Sequence, residues 1–130
     1  MNFGQAIRSG FWNYINFSGR ASRSEYWFWI LFTVLVAIAT EILDAAIFVY
    51  HEGLSPLNSP LNALSTLVLL LPTLAAAARR LHDTERSGWW LAFGLTGIGI
   101  LLLLYWQYQE GTPGANRFGP EPFAKRLSPV

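Results

Sequence analysis

Three long apolar runs, separated by short polar stretches, dominate the pattern of the chain. They cover residues 26–50, 61–83 and 88–107. About 20 consecutive apolar residues cross the hydrocarbon core of a bilayer, so each run predicts a membrane-spanning helix. The pattern therefore predicts one all-α integral membrane domain over residues 1–130, with three transmembrane helices.

The two ends of the chain differ from these runs. Residues 2–16 place Phe3, Ile7 and Phe11 at helical spacing with polar residues opposite, which predicts an amphipathic helix lying at the membrane surface. A helix of the soluble type, packed on the other segments, is the alternative. Residues 108–130 are polar and rich in Gly and Pro, which predicts an irregular tail with ordered turns.

Four residues at the ends of the runs or inside them are expected to have structural roles. Ser22 and Glu25 have the capping-box spacing at the start of the first run, where each side chain can reach the backbone N–H of the other. Pro72 falls inside the second run and is expected to kink that helix and free a backbone carbonyl. Gly88 precedes the third run and gives the chain freedom to turn.

Composition agrees with a membrane protein and removes several functional classes. Hydrophobic residues make up 52% of the chain, charged residues make up 13%, and the mean hydropathy is +0.31. Soluble domains carry about 25% charged residues, so this balance fits a bilayer. The net charge of +1 gives no electrostatic reason to expect a nucleic-acid partner. The chain has no cysteine and two isolated histidines, so neither a metal nor another cofactor is predicted.

The basic residues fall in three places along the chain. They are Arg8, Arg20 and Arg23 before the first run, Arg79, Arg80 and Arg86 from the end of the second run to the start of the third, and Arg117, Lys125 and Arg126 in the tail. With three spans, the positive-inside rule puts the amino terminus in the cytoplasm and the tail outside. If the third run, which contains several glycines, is re-entrant instead, all nine basic residues are cytoplasmic. Re-entrant backbone needs cover from protein, which so small a chain can hardly supply, so three spans are preferred.

Four separated motifs resemble those of a known family. They are Asn13-Tyr14 with residues 17–27, Arg79-Arg80-Leu81-His82-Asp83, Ser87-Gly88-Trp89-Trp90, and residues 111–120. In this order they resemble the YhaH-like family of small bacterial inner-membrane proteins (domain of unknown function 805), over nearly the whole chain. The resemblance implies a multi-pass protein of the bacterial inner membrane. It implies no activity, substrate, cofactor or catalytic residue.

The polar groups favour a structural or interaction module in the lipid bilayer. Its lipid-binding or partner-binding surface would consist of Arg20, Arg23, Arg79, Arg80, His82, Asp83 and Arg86. At a cytoplasmic edge, arginines can bind anionic phospholipid headgroups or an acidic segment of a membrane-protein partner, at about 1 kcal/mol per basic group. Helical spacing allows Asp83 to pair with Arg79 or Arg80, and Asp83 and Glu25 are expected to hold some of the arginines in place.

Two other functions are alternatives. Glu41 and Asp44 share a helix face and form a possible intramembrane polar site, which would suit a transporter subunit acting as a homo-oligomer. If the first span ends near Asp44, both carboxylates are instead solvated at the far interface. An interfacial enzyme would use His82 and Asp83, but adjacent helical residues point about 100° apart, and no nucleophile or metal set accompanies them. No residue is assigned a catalytic role.

Overall fold

The computed structural model describes residues 1–47 and 59–122, and each regular element in these ranges is a helix. The elements are α1 (Phe3–Trp12), α2 (Arg23–Ile47), α3 (Pro60–Asp83), a 3₁₀ helix (Gly88–Leu95) and α4 (Gly97–Tyr108). The tail after α4 is irregular, with an isolated β-bridge between Asn116 and Gly119. The predicted all-α class is confirmed for this part of the chain. The end of the first predicted run and the last residues of the tail lie outside the described residues.

The antiparallel pair of α2 and α3 forms the core. With 25 and 24 residues, each helix is about 36 Å long, enough to cross a hydrocarbon core of about 30 Å. Trp29 lies at their contact, 1% exposed, and its indole N–H donates to the Thr73 hydroxyl at 3.1 Å. Ala76 and Ala77 belong to the same core cluster. The pair is therefore held by an aromatic ring packed on small side chains, which let two helices approach closely.

The outward faces of α2 and α3 are apolar and exposed. Ile38 and Ile42 on α2 are 52% and 64% exposed, and Leu64 and Leu67 on α3 are 60% and 68% exposed. The core helix of a water-soluble protein would bury such side chains. Both helices are long and apolar enough to cross a membrane, and a bilayer is the environment that an apolar surface of this extent fits.

α1 packs against α2. Ala6 and Gly10 are buried, and a Cβ at Gly10 would overlap the Trp29 ring. Phe11 meets the rings of Trp29 and Phe32 edge-on, with centroids 5.3 and 5.8 Å apart. α1 thus packs on α2, as the alternative expected, and this packing is compatible with the predicted position at the membrane surface. The helix ends at Trp12.

The third apolar run is not one helix. The 3₁₀ helix and α4 meet at Thr96 and fold back on each other as a hairpin, so that Trp90 and Trp106 face each other with ring centroids 5.3 Å apart. With 12 residues, α4 is about 18 Å long, which is short of the bilayer core. Residues 88–107 are therefore not one continuous helix, and the third transmembrane helix predicted there is not confirmed. The hairpin returns the tail to the end of the molecule at which α3 ends.

Two glycines and a threonine explain the hairpin. A Cβ at Gly99 would overlap the Phe93 carbonyl, so the two limbs can approach this closely only where that side chain is missing. A Cβ at Gly94 would require the Leu103 side chain to shift. At the turn, the Thr96 hydroxyl donates to the Phe93 carbonyl at 2.7 Å and accepts from the Gly99 N–H at 3.1 Å. The Thr96 side chain thereby provides hydrogen-bond partners for a carbonyl of the 3₁₀ helix and an N–H of α4. Backbone groups of a turn in apolar surroundings require such partners.

Candidate functional site

A buried arginine cluster joins three segments at one end of the molecule, residues 19–25, 79–88 and 107–119, which we call the basic end. The cluster consists of Arg20, Arg79, Arg80, Glu25 and Asp83, none of them more than 7% exposed. Asp83 pairs with Arg20 at 2.8 Å and with Arg80 at 2.6 Å. Glu25 pairs with Arg79 at 3.0 Å. The predicted pairing of Arg80 with Asp83 is confirmed, whereas Arg79 is paired across to α2.

The three arginines outnumber the two carboxylates of the cluster, and backbone carbonyls at the end of α4 and in the tail accept further hydrogen bonds from two of them. Arg20 and Arg80 donate to several of these carbonyls, among which are those of Gln107, Gln109, Thr112 and Gly114. The bond from Arg80 Nε to the Gln107 carbonyl is 2.9 Å long. It lies at the C-terminus of α4, where the helix dipole favours a cation. Two buried arginines thus fix the course of the tail.

The tail in turn donates to the last carbonyls of α3. The Thr112 N–H donates to the Asp83 carbonyl at 2.7 Å, and the Asn116 side-chain amide donates to the His82 carbonyl at 2.9 Å. The final carbonyls of a helix have no partner within the helix, so the tail provides hydrogen-bond donors for the last carbonyls of α3. The end of α3 and the tail therefore complete each other's hydrogen bonding.

Ser22 has the capping role predicted for it, while Glu25 has a different one. The Ser22 hydroxyl accepts from the Glu25 N–H at 3.2 Å. The Glu25 carboxylate, predicted to return a bond to the Ser22 N–H, instead contacts Arg79 and the Ser9 hydroxyl of α1. A buried guanidinium is the stronger partner because both groups are charged. Within the described part of the chain, Nε and Nη2 of Arg79 have no hydrogen-bond partner.

His82 lies beside the cluster and has partners other than Asp83. Its Nδ1 is 2.9 Å from the Gly19 carbonyl, which can only accept, so Nδ1 carries a proton. Its ring stacks on Phe118 of the tail, with centroids 4.1 Å apart and planes 2° from parallel. A Cβ at Gly88 would lie 3.0 Å from the Cβ of Ala78 and 3.5 Å from His82 Nε2. The contact with Ala78 is tight, so this glycine lets the 3₁₀ helix approach α3 closely.

Among the residues that the structure describes, four arginines keep accessible side chains. Arg8 on α1, Arg23 at the start of α2 and Arg117 in the tail are exposed, and Arg86 is half-buried. The Arg86 guanidinium carbon lies 4.4 Å from the centre of the Trp106 ring, a cation–π contact. Burial lowers the pKa of Arg86, and a guanidinium stays charged at neutral pH.

Several side chains expected at a lipid-facing surface point inward instead. They are Arg20, Arg79, Arg80 and Asp83. The cause is the supply of acceptors within the fold, since two carboxylates and the free carbonyls of the tail form charge-assisted hydrogen bonds that are strong away from water. Of the predicted binding arginines, Arg23 and Arg86 keep an accessible charge.

At the opposite end, Asp44 caps α3. Its carboxylate oxygens accept from the N–H groups of Leu61 and Asn62 at 3.1 and 3.0 Å, and the residue is 0% exposed. The prediction that Asp44 is solvated is therefore wrong, because the amino end of α3 supplies both N–H donors and a favourable dipole. Ser59, which occupies the N-cap position itself, makes no side-chain capping bond. Glu41 is half-buried on α2.

Tyr14 has a role that the sequence pattern missed. Its hydroxyl donates to the Val68 carbonyl of α3. Pro72, four residues later, has no N–H to offer that carbonyl. The carbonyl that Pro72 was predicted to free is thus satisfied from the segment after α1. A proline inside an apolar run indicates that the carbonyl four residues earlier lacks its helical N–H partner. The local pattern does not indicate which side chain reaches that carbonyl.

Comparison with known proteins extends these observations. Residues 14–120 match the profile of a family described as "Protein of unknown function (DUF805)". The chain belongs to this family. The DUF805 match includes the arginine cluster, the hairpin and the ordered tail, and it confirms the family predicted from the motifs.

Relatives of this DUF805 chain are inner-membrane proteins. "Inner membrane protein YhaI" of Escherichia coli (strain K12) is 47% identical over 111 residues, which cover 85% of this chain and 88% of the relative. "Inner membrane protein YhaH" of the same organism is 40% identical over 111 residues, which cover 85% and 89%. No solved structure matches the chain. Together with the apolar helices, the similarity to these relatives identifies the chain as a bacterial membrane protein.

Proposed function

We propose that this DUF805 protein is a non-catalytic, multi-pass module of the bacterial inner membrane, whose basic end lies at the cytoplasmic surface and binds anionic phospholipid headgroups. In this proposal the buried arginine cluster is the frame, and Arg23, Arg86 and Arg117 make the contacts. The observation that carries it is the return of the hairpin, which brings the tail to the end where α2 begins and α3 ends.

The distribution of charge supports this orientation. Every arginine among the described residues lies on α1 or at the basic end, whereas Glu41 and Asp44 lie near the other end of α2. The positive-inside rule therefore favours a cytoplasmic basic end, with two spans and a re-entrant hairpin. The hairpin meets the main objection to re-entrant backbone because both limbs are helical and Thr96 satisfies the turn between them.

Arg23 has the surroundings that best suit a headgroup contact. It borders a cavity of about 290 Å³ that is also lined by Trp27, Phe28 and Tyr108. Tyr and Trp rings concentrate at the headgroup level of bilayers, and an exposed arginine beside them can reach a phosphate. The buried arginines make no contact with headgroups, because their N–H groups lie inside the fold and are shielded from solvent.

Lipid preference of the full chain in nanodiscs tests the proposal. Wild-type protein and Arg23→Gln are reconstituted in an equal mixture of phosphatidylglycerol and phosphatidylcholine, and retained lipid is counted by native mass spectrometry. We expect the wild type to retain phosphatidylglycerol preferentially and Arg23→Gln to reduce that preference about fivefold, since one basic group contributes about 1 kcal/mol at an anionic surface.

Arg23→Lys is the matched control, and it should keep the preference because it keeps the charge. Equal retention of the two lipids by the wild type would refute the proposal. So would an unchanged preference in the triple variant Arg23→Gln, Arg86→Gln and Arg117→Gln. The same spectra report whether the chain forms a homo-oligomer or retains a protein partner.

A further inference from the structure

A groove of about 480 Å³ runs between α3 and the 3₁₀ helix. Leu74 and Ala78 line it on α3, and Leu91 and Ala92 line it on the 3₁₀ helix. Its volume falls within the range of about 300–1,000 Å³ that is common for small-molecule sites. The walls are almost entirely apolar, so an occupant gains free energy mainly by removing apolar surface from a polar environment or by close packing.

The polar groups of the groove are confined to one end. Leu74, Ala78 and His82 follow one another at helical spacing on one face of α3, so the groove extends along that helix for about 12 Å. Its end at His82 and Ser87 belongs to the basic end, and the Leu74 end lies deeper along the helix. The groove therefore matches a molecule that is apolar along its length and polar at its outer end.

The polar end offers neutral hydrogen-bonding groups. His82 Nδ1 faces the Gly19 carbonyl and carries a proton, so in the neutral ring Nε2 presents a lone pair next to Gly88. The Ser87 hydroxyl accepts from the Trp89 N–H at 3.3 Å and has a proton of its own to donate. These groups suit the ester and glycerol oxygens and hydroxyls of a lipid rather than its phosphate.

The surroundings of the groove favour a hydrocarbon chain as its occupant. Trp89 lines the groove and is 88% exposed, so the groove opens beside an exposed apolar surface of the 3₁₀ helix. In a bilayer, acyl chains are the apolar groups present at that opening.

We propose that this groove holds one acyl chain of a phospholipid from the leaflet at the basic end, with the glycerol ester at His82 and Ser87. The inference rests on the proposed function in one respect, that the basic end lies at a bilayer surface. It does not require an anionic headgroup, because the groove presents no charged side chain.

Photolabelling tests the site. The full chain is reconstituted in vesicles of phosphatidylcholine containing a trace of phosphatidylcholine with a diazirine in the middle of one acyl chain, and adducts are mapped by peptide mass spectrometry. We expect adducts on Leu74, Ala78 and Ala92 at least threefold above those on Leu64 and Ile38, which are exposed outside the groove. Phosphatidylglycerol with the same photoreactive chain should label the groove equally.

Ala92→Phe should fill the groove and lower its labelling at least fivefold. Ala39→Phe is the matched control, since Ala39 is exposed on α2 outside the groove, and it should leave that labelling unchanged. Labelling spread evenly over the exposed faces, or crosslinks between two copies through Ala92, would overturn the proposal even if Ala92→Phe failed to fold. Groove labelling together with equal retention of the two lipids in the nanodisc measurement would overturn the proposed function and leave the groove site supported.

Discussion

The Arg20 guanidinium and the Asp83 carboxylate are 63 residues apart in the chain and 2.8 Å apart in the fold, with both side chains fully buried. The Asp83 carboxylate also forms an ion pair with Arg80 at 2.6 Å, so one carboxylate pairs with two buried cations. Those two arginines hold the tail through its carbonyls. Asp83 is therefore the residue through which the loop before α2, the end of α3 and the tail depend on one another.

Asp83→Asn should strongly destabilise the protein. It leaves two buried arginines without their carboxylate, and breaking a buried ion pair from one side costs about 3–5 kcal/mol. Unfolding in detergent followed by circular dichroism gives the loss of stability, and trypsin cleavage after Arg117 reports whether the tail has detached. Glu85→Gln removes an exposed carboxylate nearby and should change neither reading. Equal behaviour of the two variants would contradict the role given to Asp83.

Tyr14→Phe should destabilise the protein by about 1 kcal/mol, because it removes the hydroxyl that satisfies the Val68 carbonyl. In the background of Pro72→Ala the same change should have almost no effect. Alanine restores the N–H that a helix normally offers to the carbonyl four residues earlier, so Tyr14 is then dispensable. A double-mutant cycle of unfolding free energies measures this coupling. Additive effects of the two substitutions would show that the hydroxyl and the proline act independently.

Asp44→Ala should cost about 1–3 kcal/mol of unfolding free energy. It leaves the N–H groups of Leu61 and Asn62 unpaired in buried surroundings and removes a carboxylate from a helix N-terminus. Glu41→Ala, on the same helix and half-buried, should change stability by less than about 0.5 kcal/mol. Thermal unfolding of the two variants in one detergent provides the comparison. The capping role fails if Glu41→Ala is the more destabilising change.

Single cysteines should place the tail on the same side of the membrane as the segment before α2. The chain has no cysteine, so Ser18→Cys and Ala115→Cys each report one position. In spheroplasts and inverted vesicles, a membrane-impermeant maleimide should label both from the cytoplasmic side. Ile98→Cys, 80% exposed near the hairpin turn, should be labelled from neither side, because the proposed re-entrant hairpin would place this turn within the bilayer. Labelling of Ala115→Cys only from the opposite side would contradict this topology and support a third membrane span.

Local features of the chain were predictable where local physics decides them. The lengths of α2 and α3 follow from their apolar runs, the Ser22 cap follows from the polar residue just before a helix, and the pairing of Arg80 with Asp83 follows from helical spacing. The irregular tail follows from its glycines and prolines. Each of these depends on residues within one continuous segment of the chain.

The hairpin was not predictable from the same pattern. A continuous helix and two short limbs both expose apolar side chains, so residues 88–107 have the same hydropathy in either arrangement. The difference lies in Gly94 and Gly99, which permit contact between the limbs, and in Thr96, which satisfies both sides of the turn. A glycine in an apolar run indicates where close approach is allowed, but it does not indicate what approaches.

The sequence by itself determined that this is an all-α membrane protein of the DUF805 family with its basic residues at the ends of the apolar runs or outside them. Apolar length, glycine and proline content and motif order are properties of the chain alone. The tertiary structure alone decided which charges are available for binding. It buries Arg20, Arg79 and Arg80 and leaves Arg23 accessible, because the acceptors that neutralise a guanidinium come from Glu25, Asp83 and tail carbonyls distant in the chain. Such pairings depend on how the helices pack, and no local pattern of residues contains that information.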